Sequence, residues 1–461
     1  MNKKTIAFLI AFGPEVRAFI HSGLIRSLVS KYNVIIFSLL TDSKALAQLP
    51  KEVKVLPFQT VQESYFLTRL RNLLRFMHNL WLPKLGGKKW NHYLEKQKLR
   101  MAKRLIRQGQ FLFINKWSMY LLFVIENIVA KIIGTCAVWQ KLYIENKVDL
   151  VISAGYSYDR MLPALQTAVN RGLKTIIIPN SWKEVYTLPH LHFEPTKLLV
   201  WSKVNATTFL RYNPWIDRKI LGIVGSLHLS PFLSQAGIIP KEDFCARVGL
   251  DSKRPYICYT AAAPAAVRNE NAIVLGILSA IKENKIPSSP QLLLRLNPME
   301  DGSRFEHLIK EFPDELIIQK PVWEWQPDLD WCCSLAEDVM LWVSTVYYAS
   351  CNISIPSTVT LEFLAFHKPV INICYDVIPI VDRDCSNKRF WDSDFYAEIK
   401  SEKNVFSAFS QDEMLQTLKG LLQKNLRLRE PDKPQKICYE WERYNTIAEI
   451  ELNIDDILFT R

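Results

Sequence analysis

The segment Asn352 to Ile371, NISIPSTVTLEFLAFHKPVI, concentrates groups suited to holding an anion. A short apolar run leads into Ser357 and Thr358, where a helix is expected to begin with Ser357 as its N-cap. Two hydroxyls, backbone N–H groups and the positive end of a helix dipole would then converge, an arrangement that binds phosphate. Glu362 follows one turn later, within reach of a ribose hydroxyl. A capped helix after a strand is also common without any ligand, so both readings stand at this point. Upstream, Arg268 follows the small-residue turn Ala261-Ala262-Ala263-Pro264, and Arg295 ends the apolar run Gln291 to Leu296. Either guanidinium can fork onto a phosphate or form an ordinary ion pair.

The elements that must carry these groups form two α/β series. Thr5 to Phe12, Asn33 to Leu40 and Val53 to Phe58 read as strands, with helical periodicity from Val16 to Ser30. After a long helical stretch the alternation resumes, with strands at Leu150 to Ser153, Thr175 to Pro179 and Leu198 to Ser202 and a helix from Tyr158 to Arg171. The second series starts at Tyr256 and runs through strands at 256 to 260, 291 to 296, 316 to 319, 352 to 355 and 369 to 374. The expected domains are 1–225 with a basic helical insertion at about 65–146, a linker at 226–253, a second domain at 254–430 and a closing helix within 431–461. With 461 residues and 49% hydrophobic composition, two substantial cores fit and disorder is excluded.

Formal charge is +12, and nearly all of it sits between Arg69 and Arg107, where twelve Lys or Arg face one acid, Glu95. Leucines and aromatics interleave these cations, the composition of a surface meeting anionic headgroups. Lys88, Lys89, Lys103 and Arg104 are its candidate membrane contacts. No nucleic-acid motif accompanies the patch, so nucleic acid is not the expected partner. Nine cysteines without a CxxC pair, set in apolar contexts, suggest reduced thiols in the cytosol. The apolar start at Thr5 lacks a cleavage site and reads as a strand, while Glu126 and Lys131 interrupt Met119 to Trp139 as a membrane span.

The run Ser357-Thr358, Glu362 and His367-Lys368-Pro369-Val370-Ile371 resembles the donor-nucleotide signature of GT-B glycosyltransferases, in which Ser-Thr binds donor phosphate and Glu holds the ribose. Leu294-Arg295-Leu296-Asn297-Pro298 is similar to the family's Arg-x-His-Pro, with Asn297 in place of His. Ile178-Pro179-Asn180-Ser181-Trp182 resembles the Ser-Trp motif of surface-polysaccharide and lipopolysaccharide members, which implies an acceptor-side role for Ser181 and Trp182. His367 replaces the usual Gly, and Lys183-Glu184 replaces a frequent Asp-Asn. The resemblance covers about residues 150 to 375. It implies two Rossmann-like, doubly wound domains facing across a cleft, with the donor on the C-terminal one.

An inverting transfer needs a base for the acceptor hydroxyl. Glu15 follows the first strand and is the first candidate, although a first-turn helix acid would look the same. His21 and Asp159 are the other two. Asp328-Leu329-Asp330 and Asp382-Arg383-Asp384 mimic a metal-holding Asp-x-Asp but lie off strand ends, and His190-Leu191-His192 has no third ligand nearby in sequence. No resident cofactor or divalent metal is expected, and the nucleotide-sugar enters as co-substrate. The expected protein is a peripheral glycosyltransferase on the inner membrane face, acting on a surface-glycan or lipid-linked acceptor. The alternatives are a CDP-glycerol-type polyol-phosphate transferase, a UDP-sugar 2-epimerase, and a non-catalytic membrane-bound scaffold.

Overall fold

The computed structural model describes residues 3–41, 43–82, 114–156, 159–187, 190–235, 237–264, 266–267, 269–326, 331–378, 386–397, 399–423 and 444–459. These form two units, 1–228 with 443–461, and 229–442. Arg268, the acidic pairs Asp328/Asp330 and Asp382/Asp384, and all four membrane-patch cations lie outside the described residues.

The first unit is built on a seven-stranded, all-parallel sheet of order β3-β2-β1-β4-β5-β6-β7. Its strands are β1 (Thr5–Ile10), β2 (Asn33–Ser38), β3 (Lys54–Pro57), β4 (Leu150–Ser153), β5 (Lys174–Ile177), β6 (Lys197–Val200) and β7 (Leu221–Ile223). Strands at the centre of such a sheet are covered on both faces, and every residue of β1 and β4 is buried accordingly. After β1 the chain makes one helical turn at Gly13–Glu15, continues as a π-helix over Val16–His21, and restarts beyond Gly23 as α1 (Leu24–Leu28).

The helical insertion contributes α2 (Tyr65–Trp81), α3 (Lys116–Ile133) and α4 (Ala137–Glu145). Asn115 caps α3, its side chain accepting from the N–H groups of Trp117 and Ser118 while Ser118 Oγ accepts from Asn115 N–H. The stretch Met119 to Trp139 is thus broken into two helices bent by 72°. Among the described residues no single helix is long and apolar enough to cross a membrane. Further helices are α5 (Leu162–Asn170), α6 (Glu184–Thr187) and α7 (Lys203–Tyr212).

The second unit repeats the plan with a six-stranded parallel sheet of order β10-β9-β8-β13-β14-β15. Its strands are β8 (Tyr256–Thr260), β9 (Gln291–Arg295), β10 (Leu316–Gln319), β13 (Asn352–Ser354), β14 (Val370–Ile373) and β15 (Val405–Ala408). A separate antiparallel pair, β11 (Trp323–Gln326) and β12 (Trp331–Ser334), occupies what reads in sequence as a Pro- and Trp-rich loop. The helices used below are α8 (Lys241–Val248), α9 (Glu270–Lys282), α10 (Ala336–Tyr348), α11 (Val359–Leu364) and α12 (Gln411–Gln423).

One boundary differs from the sequence reading. The span 226–253, expected as a linker, carries helices at Ser230–Leu233 and at α8, whose buried Phe244 stacks with Tyr348 of the second unit. The closing helix is α13 (Thr446–Phe459) and belongs to the first unit. Lys31 pairs with Glu451, and Tyr32 donates to Asp455.

Candidate functional site

In doubly wound sheets, ligands gather beyond the carboxyl ends of the strands where strand order reverses. That point lies between β8 and β13 in the second unit and between β1 and β4 in the first.

In the second unit the β13 exit runs through Ile355-Pro356 to Ser357 and Thr358, both half-buried. Ser357 is not the N-cap by backbone geometry. The chain is already right-handed at Thr358, and Ser357 Oγ accepts from Val359 N–H at 3.3 Å, a local serine turn one position before the helix. Glu362 is buried one turn on, and Trp342 Nε1 of α10 donates to its Oε2 at 2.7 Å. The face of Trp342 carries the Arg295 guanidinium, 5.2 Å from the ring centroid. One indole thus joins Arg295, from the end of β9, to Glu362, from α11.

Arg295 Nη2 donates to both oxygens of Asp338 at 2.7 Å, while among the described residues its buried Nη1 has no hydrogen-bond partner. Asp338 also accepts from Val322 N–H and Trp323 Nε1, each at 2.7 Å, which pins the β11–β12 pair to the same carboxylate. Asn297 stays half-buried, its side chain turned back to accept from Met299 N–H. On the neighbouring loop, Glu270 reaches back from α9 to accept from Ala262 N–H, Tyr259 Oη and Arg304. Burial lifts its carboxyl to about 7, against the pull of Arg304 and the Ala262 N–H.

Trp342, Asp338 and Glu270 carry no local sequence signal that marks them for these contacts. Glu337-Asp338 reads as a first-turn helix acid, and Trp342 as one more apolar residue on a buried helix face.

In the first unit Glu15 is fully buried and its Oε2 accepts from Ala11 and Phe12 N–H, closing the turn after β1. Burial raises its pKa well above the carboxylate range, outweighing those two donors, and neighbouring Glu184 adds to the rise. This is the geometry of the first-turn helix acid. His21 ends the π-helical segment and is half-buried. Asp159 is exposed and paired with Arg75 Nη1 at 2.6 Å. Ser181 and Trp182 follow β5 and lead into α6; Trp182 is buried, and its carbonyl accepts from Asn205 Nδ2. Arg160, unremarked in the sequence, lies over the Phe12 ring at the same turn as Glu15.

His190 and His192 do find a third group, Glu126 of α3, and the potential ligand atoms lie within 4.8 Å of one another. The donor set is already engaged by cations of the protein itself. Arg71 Nε lies 3.2 Å from Glu126 Oε1, His192 Nδ1 donates to the same oxygen, and Arg75 Nε donates to His192 Nε2 at 2.8 Å. Burial lowers the pKa of His190 to about 3 and that of His192 well below the usual value. Two guanidinium groups in contact with these ligand atoms oppose a further cation, so the cluster reads as an ion-paired tie between α2, α3 and the 190–192 loop.

No protein-family model matches the chain, and no curated protein matches it in sequence. Solved structures do resemble it over nearly the whole length. A glycosyltransferase from Rickettsia africae is 12% identical, with a TM-score of 0.53 and full coverage of both chains. The S. aureus MnaA–UDP co-structure is 11% identical with a TM-score of 0.55, covering 99% of this chain and 98% of that one. UDP-GlcNAc 2-epimerase from Neisseria meningitidis bound to UDP-GlcNAc is 10% identical with a TM-score of 0.52, covering 98% and 99%. The fold is therefore GT-B-type, two Rossmann-like α/β domains, as expected from the sequence.

Proposed function

We propose that the chain is a nucleotide-sugar-dependent glycosyltransferase that passes a sugar to a surface-glycan or lipid-linked acceptor at the inner face of a membrane. The observation that carries this is the second unit's reversal point, where the Ser357-Thr358 turn and the Trp342-bridged pair Arg295 and Glu362 stand beyond β13 and β9. Ser357 and Thr358 would take the donor phosphates with their hydroxyls and N–H groups, Arg295 Nη1 would add a charged donor, and Glu362 would accept from the ribose. Arg268 and Asn297 would complete the donor side.

Glu15, His21 and Asp159 remain the candidate bases, with Glu15 bonded to its own turn and Asp159 paired with Arg75. Ser181 and Trp182 would face the acceptor. The basic patch at Lys88, Lys89, Lys103 and Arg104 would hold the membrane.

The epimerase reading is favoured by one observation, that several structures of the same fold are UDP-GlcNAc 2-epimerases. Thermal shift with UDP, GDP, CDP, CMP and ADP tests the donor site, using wild type beside Ser357→Ala/Glu362→Ala. One nucleotide at about 100 times its dissociation constant adds about 2.7 kcal/mol of apparent stability. A selective shift lost in the variant supports the site, and silence across the panel rejects it. NMR of the matching nucleotide-sugar then separates the reactions, since C2 inversion without any acceptor replaces transfer by epimerisation.

A further inference from the structure

Helix α3 is apolar on two sides. Its inner side buries Met119, Phe123 and Ala130, together with Glu126. Its outer side exposes Trp117, Tyr120, Leu121, Ile125, Ile128 and Ile132, a stripe recurring once per turn, with Trp117 76%, Leu121 58%, Ile128 55% and Ile132 74% exposed. The outer side of a helix in a globular protein is ordinarily polar, and a contiguous exposed apolar stripe marks an interaction surface. From 117 to 132 the stripe runs for about 22 Å.

We propose that this outer face of α3 docks on an anionic lipid bilayer, lying in its surface with the aliphatic side chains among the upper acyl chains. The helix is too short and too bent against α4 to be one span, so it lies on the membrane. Its single acid, Glu126, is drawn inward to Arg71, His190 and His192. The charges it exposes are therefore Lys116 and Lys131. Trp117 and Tyr120 stand at one end, the residue types that favour the headgroup boundary.

The stretch Arg69 to Arg107, which precedes α3 in the chain, carries twelve cations against one acid, ten of them apart from Arg71 and Arg75 of the ion-paired cluster. That excess is complementary to anionic headgroups and repels a second copy of the same surface. The inference places the membrane association proposed above on a particular helix. Its test involves no catalysis, so it can fail while the nucleotide panel succeeds, or the reverse.

Full-length protein is sedimented with phosphatidylcholine vesicles and with vesicles in which about a third of the lipid is phosphatidylglycerol, at low and high salt. The wild type binds the anionic vesicles and is weakened by salt, and Leu121→Asn/Ile128→Asn binds at least about tenfold less with an unchanged melting curve. Vesicles of brominated lipid supply a readout that does not depend on the folding of that variant. They quench wild-type fluorescence, and Trp117→Phe still binds but loses that increment of quenching. The proposal is overturned if the wild type ignores anionic vesicles, if the double variant binds like wild type, or if Trp117 contributes no quenching. It also falls if the wild type is a dimer in lipid-free buffer that the double variant splits, which makes the face a self-association surface.

Discussion

Replacing Trp342 by Phe keeps an aromatic ring against Phe363 but deletes the N–H that Glu362 Oε2 accepts at 2.7 Å. Both side chains are buried, so this charge-assisted bond is made away from water and its loss costs about 1.5–3 kcal/mol. The smaller ring also leaves a void and weakens the stacking of Arg295, costs unrelated to the bond itself. A double-mutant cycle with Glu362→Met separates them, because Met offers no oxygen to the indole N–H and both costs persist without it. Urea denaturation of the four proteins should return a coupling of about 1.5–3 kcal/mol. If Glu362 accepts from the ribose as proposed, the nucleotide selected by thermal shift should bind Trp342→Phe about tenfold more weakly, a loss of about 1.4 kcal/mol, because that carboxylate is no longer held in place. Additivity within about 0.5 kcal/mol would refute the claim that the indole anchors Glu362.

Three further outcomes are expected. Glu270 has its carboxyl raised from 4.5 to about 7 by burial, so the folded state holds the proton more tightly than the unfolded state. Its contribution is complete below about pH 4.5 and is lost as pH rises through about 7; denaturation across that range should show wild type losing about 3 kcal/mol relative to Glu270→Gln, and parallel pH profiles would contradict the assignment. His367 sits at φ +54°, with its own N–H bonded to Leu364 O and Lys368 N–H to Phe363 O, a helix end that suits glycine. His367→Gly should raise stability by about 1 kcal/mol in urea melts, and a loss would mean that the imidazole's other contacts outweigh the backbone strain. Arg71→Met removes the guanidinium shared by Glu63, Gln166 and Glu126 and should cost about 3–5 kcal/mol by calorimetry, since buried carboxylates are left uncompensated; a cost below about 1 kcal/mol would show that the cluster does not hold the insertion.

Local chemistry was enough to read both sheets. A strand covered on two faces must be apolar along its whole length, so Thr5–Ile10, Leu150–Ser153, Tyr256–Thr260 and Val370–Ile373 announce themselves without knowledge of their neighbours. The turn at Ser357-Thr358 is visible for the same reason, being made of adjacent residues, although the helix begins one position later than the sequence suggests. Groups joined across long sequence distances were not legible. Glu126 looks like a defect in an apolar helix until His190 and His192, more than sixty residues later, and Arg71 come to meet it. Arg295 and Glu362 had to be weighed separately because the residue linking them, Trp342, has no local signature of that role. Glu15 shows the converse: its type and position suit a base, but its burial and its bonds to Ala11 and Phe12 are properties of the folded turn. Backbone pattern reports which face of an element is covered. Which buried charge is neutralised by which partner depends on packing between elements, and that is where the chemistry of this chain is set.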